Sequence, residues 1–322
     1  MTEKITVIIP TCKRTKLLIR CLEALVLQNI PKADFRVIVV SDGPDLQTKE
    51  VLETWRANRL LNLQYVQTPF KGGPAAARNY GWKMTDTPLI AFTDDDCIPD
   101  QSWLNAFLMC YSGQDCIAFT GRTKVPLPEK KTDFAINIAQ LEDADFITAN
   151  CACTKSALNK VQGFDERFKM AWREDSDLEF KLITNHIKIL RVPDALVVHP
   201  VREVPWGISI KEQKKGIYDA LLYKKFPTLY RKKIGSVIWN YYGMIIAGIL
   251  LMAGLILNLF YLYFFAAFGL IFLLTGFIAR RLHQRHKSFS HVMEMISTSL
   301  VIPFISVFWR LYGSIKYRVF FL

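Results

Sequence analysis

Four short runs, ITVIIP (5 to 10), FRVIVVS (35 to 41), LNLQYVQ (61 to 67) and PLIAFT (88 to 93), are rich in β-branched residues, and each precedes a helix-like segment. Continuous rather than alternating apolar character marks strands buried on both faces. The βαβα order therefore predicts an α/β fold, a mostly parallel sheet with helices on both faces. Ligands of such sheets bind beyond the carboxyl ends of the strands. The polar residues that end the runs are thereby singled out: Thr11 and Arg14 after the first, Asp42 after the second, and Asp94, Asp95 and Asp96 after the fourth.

The last third of the chain follows a different pattern. From Ile234 to Ala279 there are 46 consecutive residues without Asp, Glu, Lys or Arg. About 20 apolar residues cross a bilayer core, so the run has room for two spans. Lys224, Lys225, Arg231, Lys232 and Lys233 lead into it, and Arg280, Arg281, Arg285 and Lys287 follow. Basic flanks mark the cytoplasmic side, which predicts a helical hairpin turning near Asn258, with spans of 237 to 257 and 259 to 279. A third apolar stretch, 292 to 309, contains Glu294 and Pro303, with His291 before it and Arg310, Lys316 and Arg318 after it. An interfacial or re-entrant helix keeps all these basic residues on one leaflet. Ahead of the hairpin, ISIKEQKKGIYDALLYKKF reads as a basic amphipathic helix on the bilayer surface. The expected organisation is an N-terminal α/β domain over 1–200, a basic interfacial segment over 201–233, a transmembrane hairpin over 234–279 and a basic, apolar tail over 280–322.

Charge agrees with this division. The net charge is +12, yet residues 1 to 200 balance 25 basic against 25 acidic side chains, while residues 201 to 322 carry 16 against 4. The basic excess brackets apolar spans, so it indicates an anionic membrane surface and argues against nucleic acid. The apolar run at the N-terminus ends at Pro10, too short for the core of a signal peptide, which predicts an N-terminal domain in the cytosol of a multi-pass inner-membrane protein. Seven cysteines show no paired C-x-x-C spacing, so reduced thiols are expected rather than a zinc site or a disulfide framework.

The sharpest chemical signal is TDDDCIPD (93 to 100), three adjacent acids directly after a buried strand. Side by side they repel one another and call for a cation, and oxygen donors suit Mg²⁺ or Mn²⁺. In VSDGPD (40 to 45), Asp42 sits at a strand end before a turn, able to accept hydrogen bonds from a base or ribose. In KGGPAAARN (71 to 79), two glycines open a helix, so that backbone N–H groups can approach phosphate and Arg78 can pair with it. WREDSDLEFKL (172 to 182) begins a helix with acids, where the dipole favours them. Glu174, Asp177 and Glu179 are accounted for as first-turn and surface residues, which leaves Asp175 as the candidate to deprotonate an acceptor hydroxyl. LVVHP (196 to 200) places His199 where imidazole can complete a metal shell.

In this order and spacing, VIIPTCKR, VSDGPD, GGPAAARN, TDDDCIPD, GFDERF, WREDSDLEFKL and VVHP resemble the family 2 glycosyltransferases with the GT-A (Rossmann-like) fold, over about residues 4 to 200. The resemblance implies an inverting, single-displacement transfer from a nucleotide diphosphate sugar, most commonly a UDP-sugar. It implies that Thr11 and Asp42 hold base and ribose, with Arg14 beside them, and that Arg78 holds the nucleotide. Asp94 would lie on the ribose or metal side, Asp95 beside the metal ligand Asp96, His199 as a further ligand, and Asp175 as general base. The segment FITANCACTKS (146 to 156) matches the loop facing donor sugar and acceptor, where Asn150 is the candidate, and Glu174, beside Asp175, is assigned to the same acceptor and donor-sugar side. The chain departs from two branches of the family. No Gln-x-x-Arg-Trp motif follows Asp175, so one sugar per encounter is expected. Neither Asp-Ala-Asp nor Leu-Gln-His-Pro occurs at the metal motif, which favours a lipid-linked sugar over a bare polyprenyl phosphate as acceptor. A short-chain synthase and a catalytically inactive nucleotide-sugar-binding scaffold remain as other readings.

Overall fold

The computed structural model describes residues 3–58, 60–235 and 237–321. They divide into two compact units: Met1–Pro126 with Ala139–Val201, and Leu127–Ile138 with Arg202–Leu322.

The first unit is built on an eight-stranded sheet of order β3-β2-β1-β4-β7-β6-β8-β5. Its strands are β1 (Ile5–Thr11), β2 (Phe35–Ser41), β3 (Leu63–Gln67), β4 (Leu89–Phe92), β5 (Ile98–Pro99), β6 (Ile117–Lys124), β7 (Cys151–Thr154) and β8 (Lys188–Val198). All four expected strands form, and β3, β2, β1 and β4 are parallel neighbours. The other half is mixed: β7 runs antiparallel to both β4 and β6, and β5 antiparallel to β8, whereas β6 and β8 are parallel. Only the first half of the sheet is the parallel array expected from the apolar runs.

Helices α1 (Thr15–Val26), α2 (Leu46–Ala57) and α3 (Pro74–Lys83) follow β1, β2 and β3, and α4 (Trp103–Cys110) follows β4 and β5. In β1, Ile5, Val7 and Ile9 pack with Leu18, Leu22 and Phe107 on one side of the sheet. Ile8 packs on the other side with Ile38, Ala77 and Trp82. Period-2 side-chain alternation against helices on both faces is what makes every residue of β1 buried. At Gly81 a Cβ would stand 2.8 Å from both Ile8 Cγ2 and Val40 Cγ2, so glycine lets α3 lie close on the sheet.

The segment 127–138, assigned from sequence to the N-terminal domain, clusters with the C-terminal unit and carries most of α5 (Asp133–Ala139). Asp133 explains this, because its carboxylate meets Arg281 Nη2 at 3.0 Å and Arg285 Nε at 3.2 Å. No periodicity announces such a long-range pair. In the first unit, α6 (Lys155–Val161) and α7 (Glu174–Thr184) complete the helical layer.

The C-terminal unit contains α8 (Ile208–Glu212), α9 (Ile217–Lys225), α10 (Pro227–Lys233), α11 (Trp239–Ile256), α12 (Phe260–Leu282) and α13 (Phe289–Tyr317). The basic segment expected as one amphipathic helix is thus broken into pieces, and Ile217 to Leu222 are buried without interruption. Packing in α9 replaces the two-faced pattern of a surface-lying helix. Helices α11 and α12 form the expected hairpin, with Asn258 at φ 56° in its turn. Helix α13 runs through Pro303 as a single helix. All three of α11, α12 and α13 are long and apolar enough to cross a membrane.

Candidate active site

The parallel half of the sheet brings the first set of polar residues together. Thr11 lies opposite Ser41 in the β1–β2 register, and Asp42 N–H donates to Thr11 O at 2.9 Å. Strand β4 ends one residue before Thr93, whose N–H donates to Ile8 O at 3.3 Å, so the Asp94–Asp96 turn emerges beside the end of β1. Thr11 Oγ1 donates to Asp95 Oδ2 at 2.7 Å, and Arg14 Nη1 donates to Asp95 Oδ1 at 3.2 Å and lies 3.6 Å from Asp96 Oδ2.

The short β5 decides the rest. It pairs Ile98 with Val198, which brings Asp96, two residues before Ile98, close to His199, the residue after Val198, at the sheet edge. Asp96 Oδ1 and His199 Nε2 stand 3.7 Å apart, less than the sum of two metal–ligand bonds of about 2.0–2.2 Å. With Cys97 Sγ, these donor atoms lie within 4.8 Å of one another. Burial, reinforced by Asp94 and Asp96, pushes the Cys97 thiol well above its ordinary pKa. It stays protonated and makes a poor ligand for a hard cation. His199 Nδ1 is buried without a hydrogen-bond partner among the described residues. An oxygen and a nitrogen donor facing across this gap fit Mn²⁺ or Mg²⁺.

The three acids are not equivalent. Burial, with Asp96 and Asp94 adding repulsion, pushes Asp95 up to about 6 despite Arg14. Burial also works against ionisation of Asp94, but Arg78 outweighs it and holds that carboxyl below its ordinary value.

Several residues do something other than their sequence suggests. Arg78 is buried and offers no hand to a phosphate: Nη2 donates to Asp94 Oδ1 at 2.6 Å and Nη1 to Glu174 Oε1 at 3.2 Å. Gly72 and Gly73 N–H donate to Asp42 Oδ1 at 2.6 and 2.9 Å, so this carboxylate closes the turn into α3 and occupies the amides expected to face phosphate. Asn150 is fully buried. Its Oδ1 accepts from Trp103 Nε1 at 2.8 Å, while Nδ2 donates to Arg122 O and Ala195 O, each at 2.9 Å. It ties α4 to β6 and β8 rather than facing a sugar. Asp177 and Glu179, expected at the surface, are buried, because α7 packs onto the core and carries Asp177 within 3.3 Å of Lys181 Nζ.

Asp175 begins α7 half-buried, its Oδ1 accepting from Ser176 N at 2.7 Å. Burial raises its pKa. Burial and the neighbouring Asp175 push Glu174 up to about 7. The sequence reading passed over the two residues just before these acids. Arg173 is a non-glycine at φ 72°, with its guanidinium 4.6 Å from the centre of the Trp172 ring. An exposed tryptophan beside an acid pair was the available signal.

The family model for glycosyl transferase family 2 matches residues 6–167, half of the chain, from within β1 to beyond the acid triplet. The chain belongs to glycosyl transferase family 2. It is similar to the glycosyltransferase AglE of Haloferax volcanii (30% identity over 128 residues, 40% of this chain and 42% of AglE). It is also similar to the pre-mycofactocin glycosyltransferase of Mycobacterium tuberculosis (29% over 217 residues, 62% of this chain and 43% of that protein). Chondroitin synthase of Escherichia coli is 25% identical over 274 residues, 72% of this chain and 40% of the synthase. The chain thus spans less than half the length of these three curated relatives. Among solved structures, the mannosyltransferase PcManGT of Pyrobaculum calidifontis, in complex with GDP-Man and Mn²⁺, superposes with a TM-score of 0.63 at 18% identity, covering 97% of this chain and 88% of that one. Staphylococcus aureus TarS 1–349 with UDP-GlcNAc gives 0.53 at 18% identity, covering 99% and 93%. These likenesses show the GT-A fold.

Proposed function

We propose that this glycosyltransferase moves one sugar from a nucleotide diphosphate sugar to a lipid-linked acceptor at the cytoplasmic membrane face, with inversion at the anomeric carbon. The observation that carries this reading is the edge cluster of Thr11, Arg14, Asp95, Asp96 and His199, with Asp175 at the start of α7 in the same unit. Bound between Asp96 and His199, Mn²⁺ or Mg²⁺ would neutralise charge on the departing diphosphate. Thr11, Asp42 and Arg14 line the side of the nucleoside and phosphates. Asp175 accepts the proton of the acceptor hydroxyl while the new bond to the anomeric carbon forms and the bond to phosphate breaks. Its raised pKa makes it a stronger base than an ordinary aspartate.

The apolar helices of the C-terminal unit support a membrane-borne acceptor, because an anchored enzyme meets a lipid headgroup at high effective concentration. A UDP-sugar is the first donor to test, with GDP- and dTDP-sugars alongside. The deciding measurement is nucleoside diphosphate release by the detergent-purified chain, with lipid extract and with Mn²⁺ or chelator. Metal-dependent, lipid-stimulated release from one donor, lost in Asp175→Asn, is the expected result. Donor binding without release under every condition would favour the inactive scaffold.

A further inference from the structure

Among the described residues, three helices have the length and apolarity of membrane spans, but α13 is packed unlike the other two. Its buried face lies along the charged segment that precedes the hairpin, from one end to the other. Gly207 N–H donates to Glu294 Oε1 at 2.7 Å near the start of α13, and Lys224 Nζ donates to Tyr317 O at 2.7 Å at its end. Between them, a Cβ on Gly313 would stand 2.8 Å from Ile217 O and 3.1 Å from Ala220 Cβ, so the glycine admits α9 at backbone distance.

The partner segment carries Lys211, Glu212, Lys214, Lys215, Lys224 and Lys225. Were α13 to cross the bilayer, this segment would go with it, and charges at mid-bilayer are strongly disfavoured even on insertion scales. The contacts with the hairpin point the same way. Arg281, near the basic end of α12, donates to Thr298 Oγ1 at 2.7 Å and Ser299 Oγ at 2.9 Å. Ile302 packs with Met244 and Phe277. These hairpin residues lie near its basic end, far along the helices from the Asn258 turn. Helix α13 therefore passes the hairpin at its basic base.

The opposite face of α13 presents Met293, Leu300, Phe304, Phe308, Leu311 and Ile315, all exposed and spaced by three, four or seven residues. That spacing is a single apolar stripe on a helix, continuous in character with the exposed apolar surface of α11 and α12 and flanked by Lys316 and Arg318.

We propose that α13 does not cross the membrane but lies in the cytoplasmic leaflet, its stripe in the acyl region and the α8–α9 segment above it at the headgroups. The chain then crosses twice, and its C-terminal end lies on the same side as the catalytic unit. The inference is independent of the reaction catalysed. It is tested with the full chain carrying, at its N-terminus, after Asn258 or at its C-terminus, either a fluorescent protein that matures only in the cytosol or alkaline phosphatase, active only outside it. Expected are fluorescence and no phosphatase activity at both termini, and the reverse at Asn258. Phosphatase activity at the C-terminus means a third crossing and overturns the proposal. A second readout tests the stripe: Phe304→Cys in a Cys110→Ser background, labelled with a polarity-sensitive fluorophore in vesicles containing anionic lipid, compared with that background alone. A blue shift specific to Cys at 304 supports embedding, and emission as in water overturns it.

Discussion

Arg78 reaches from α3 to donate to Glu174 at the first turn of α7, 3.2 Å away inside the protein, while its other terminal nitrogen holds Asp94. One guanidinium thereby joins the acid triplet to the helix that carries Asp175. Replacing it by methionine leaves Glu174 buried without its counter-charge. Breaking a buried pair in this way costs about 3–5 kcal/mol. The expected outcome for Arg78→Met is a large drop in the unfolding temperature of the detergent-purified chain, with Arg78→Lys intermediate. An unchanged temperature would mean the pair contributes nothing to folding.

Glu174 also predicts a pH dependence. Its folded-state pKa, about 7, lies above the ordinary value of 4.5. A raised carboxyl favours folding fully below 4.5, and that contribution is lost as pH rises through 7. Thermal unfolding of wild type and Glu174→Gln between pH 4.5 and 8 should diverge across this window, the wild type losing stability relative to the variant as pH rises. Parallel curves would remove Glu174 as the source.

For Asp175→Asn, donor binding should persist while transfer falls by about 10² to 10⁴, the usual contribution of an acid–base group. Calorimetric donor titration beside single-turnover transfer separates the two. Equal loss of both would mean that Asp175 holds the donor and does not move the proton.

Asp96→Ala should abolish the Mn²⁺-dependent part of donor binding, and His199→Ala should weaken it. Both are read from donor titrations over a range of Mn²⁺ concentrations. Unchanged binding at every concentration would take the substituted residue out of the metal shell.

Asn150→Ala should act through folding. It strips partners from Trp103 Nε1, Arg122 O and Ala195 O, at about 1–3 kcal/mol for a buried group left unsatisfied. A lowered unfolding temperature with an unchanged KM for the acceptor in the folded fraction is expected. A raised KM at unchanged stability would restore Asn150 to the sugar-facing loop.

The local pattern of the chain determined much of this. Largely apolar runs marked β1, β2 and β4, because strands covered on both faces are mostly apolar, while β3, half-buried at the sheet edge, was marked by its β-branched and aromatic residues and its place in the order. Their polar ends then identified Thr11, Asp42 and the acid triplet, because parallel order brings carboxyl ends to one edge. A charge-free run of hairpin length marked α11 and α12. Tertiary structure decided what depends on partners distant in sequence. The mixed half of the sheet and the β5–β8 pairing set Asp96 against His199. Burial turned Arg78 inward and made Asn150 a tie between elements. Asp133 drew 127–138 into the C-terminal unit, and α9 packed against α13. Periodicity reports which face of an element is apolar, whereas hydrogen-bond and ion-pair partners are chosen only when the chain closes on itself and each buried polar group must find one.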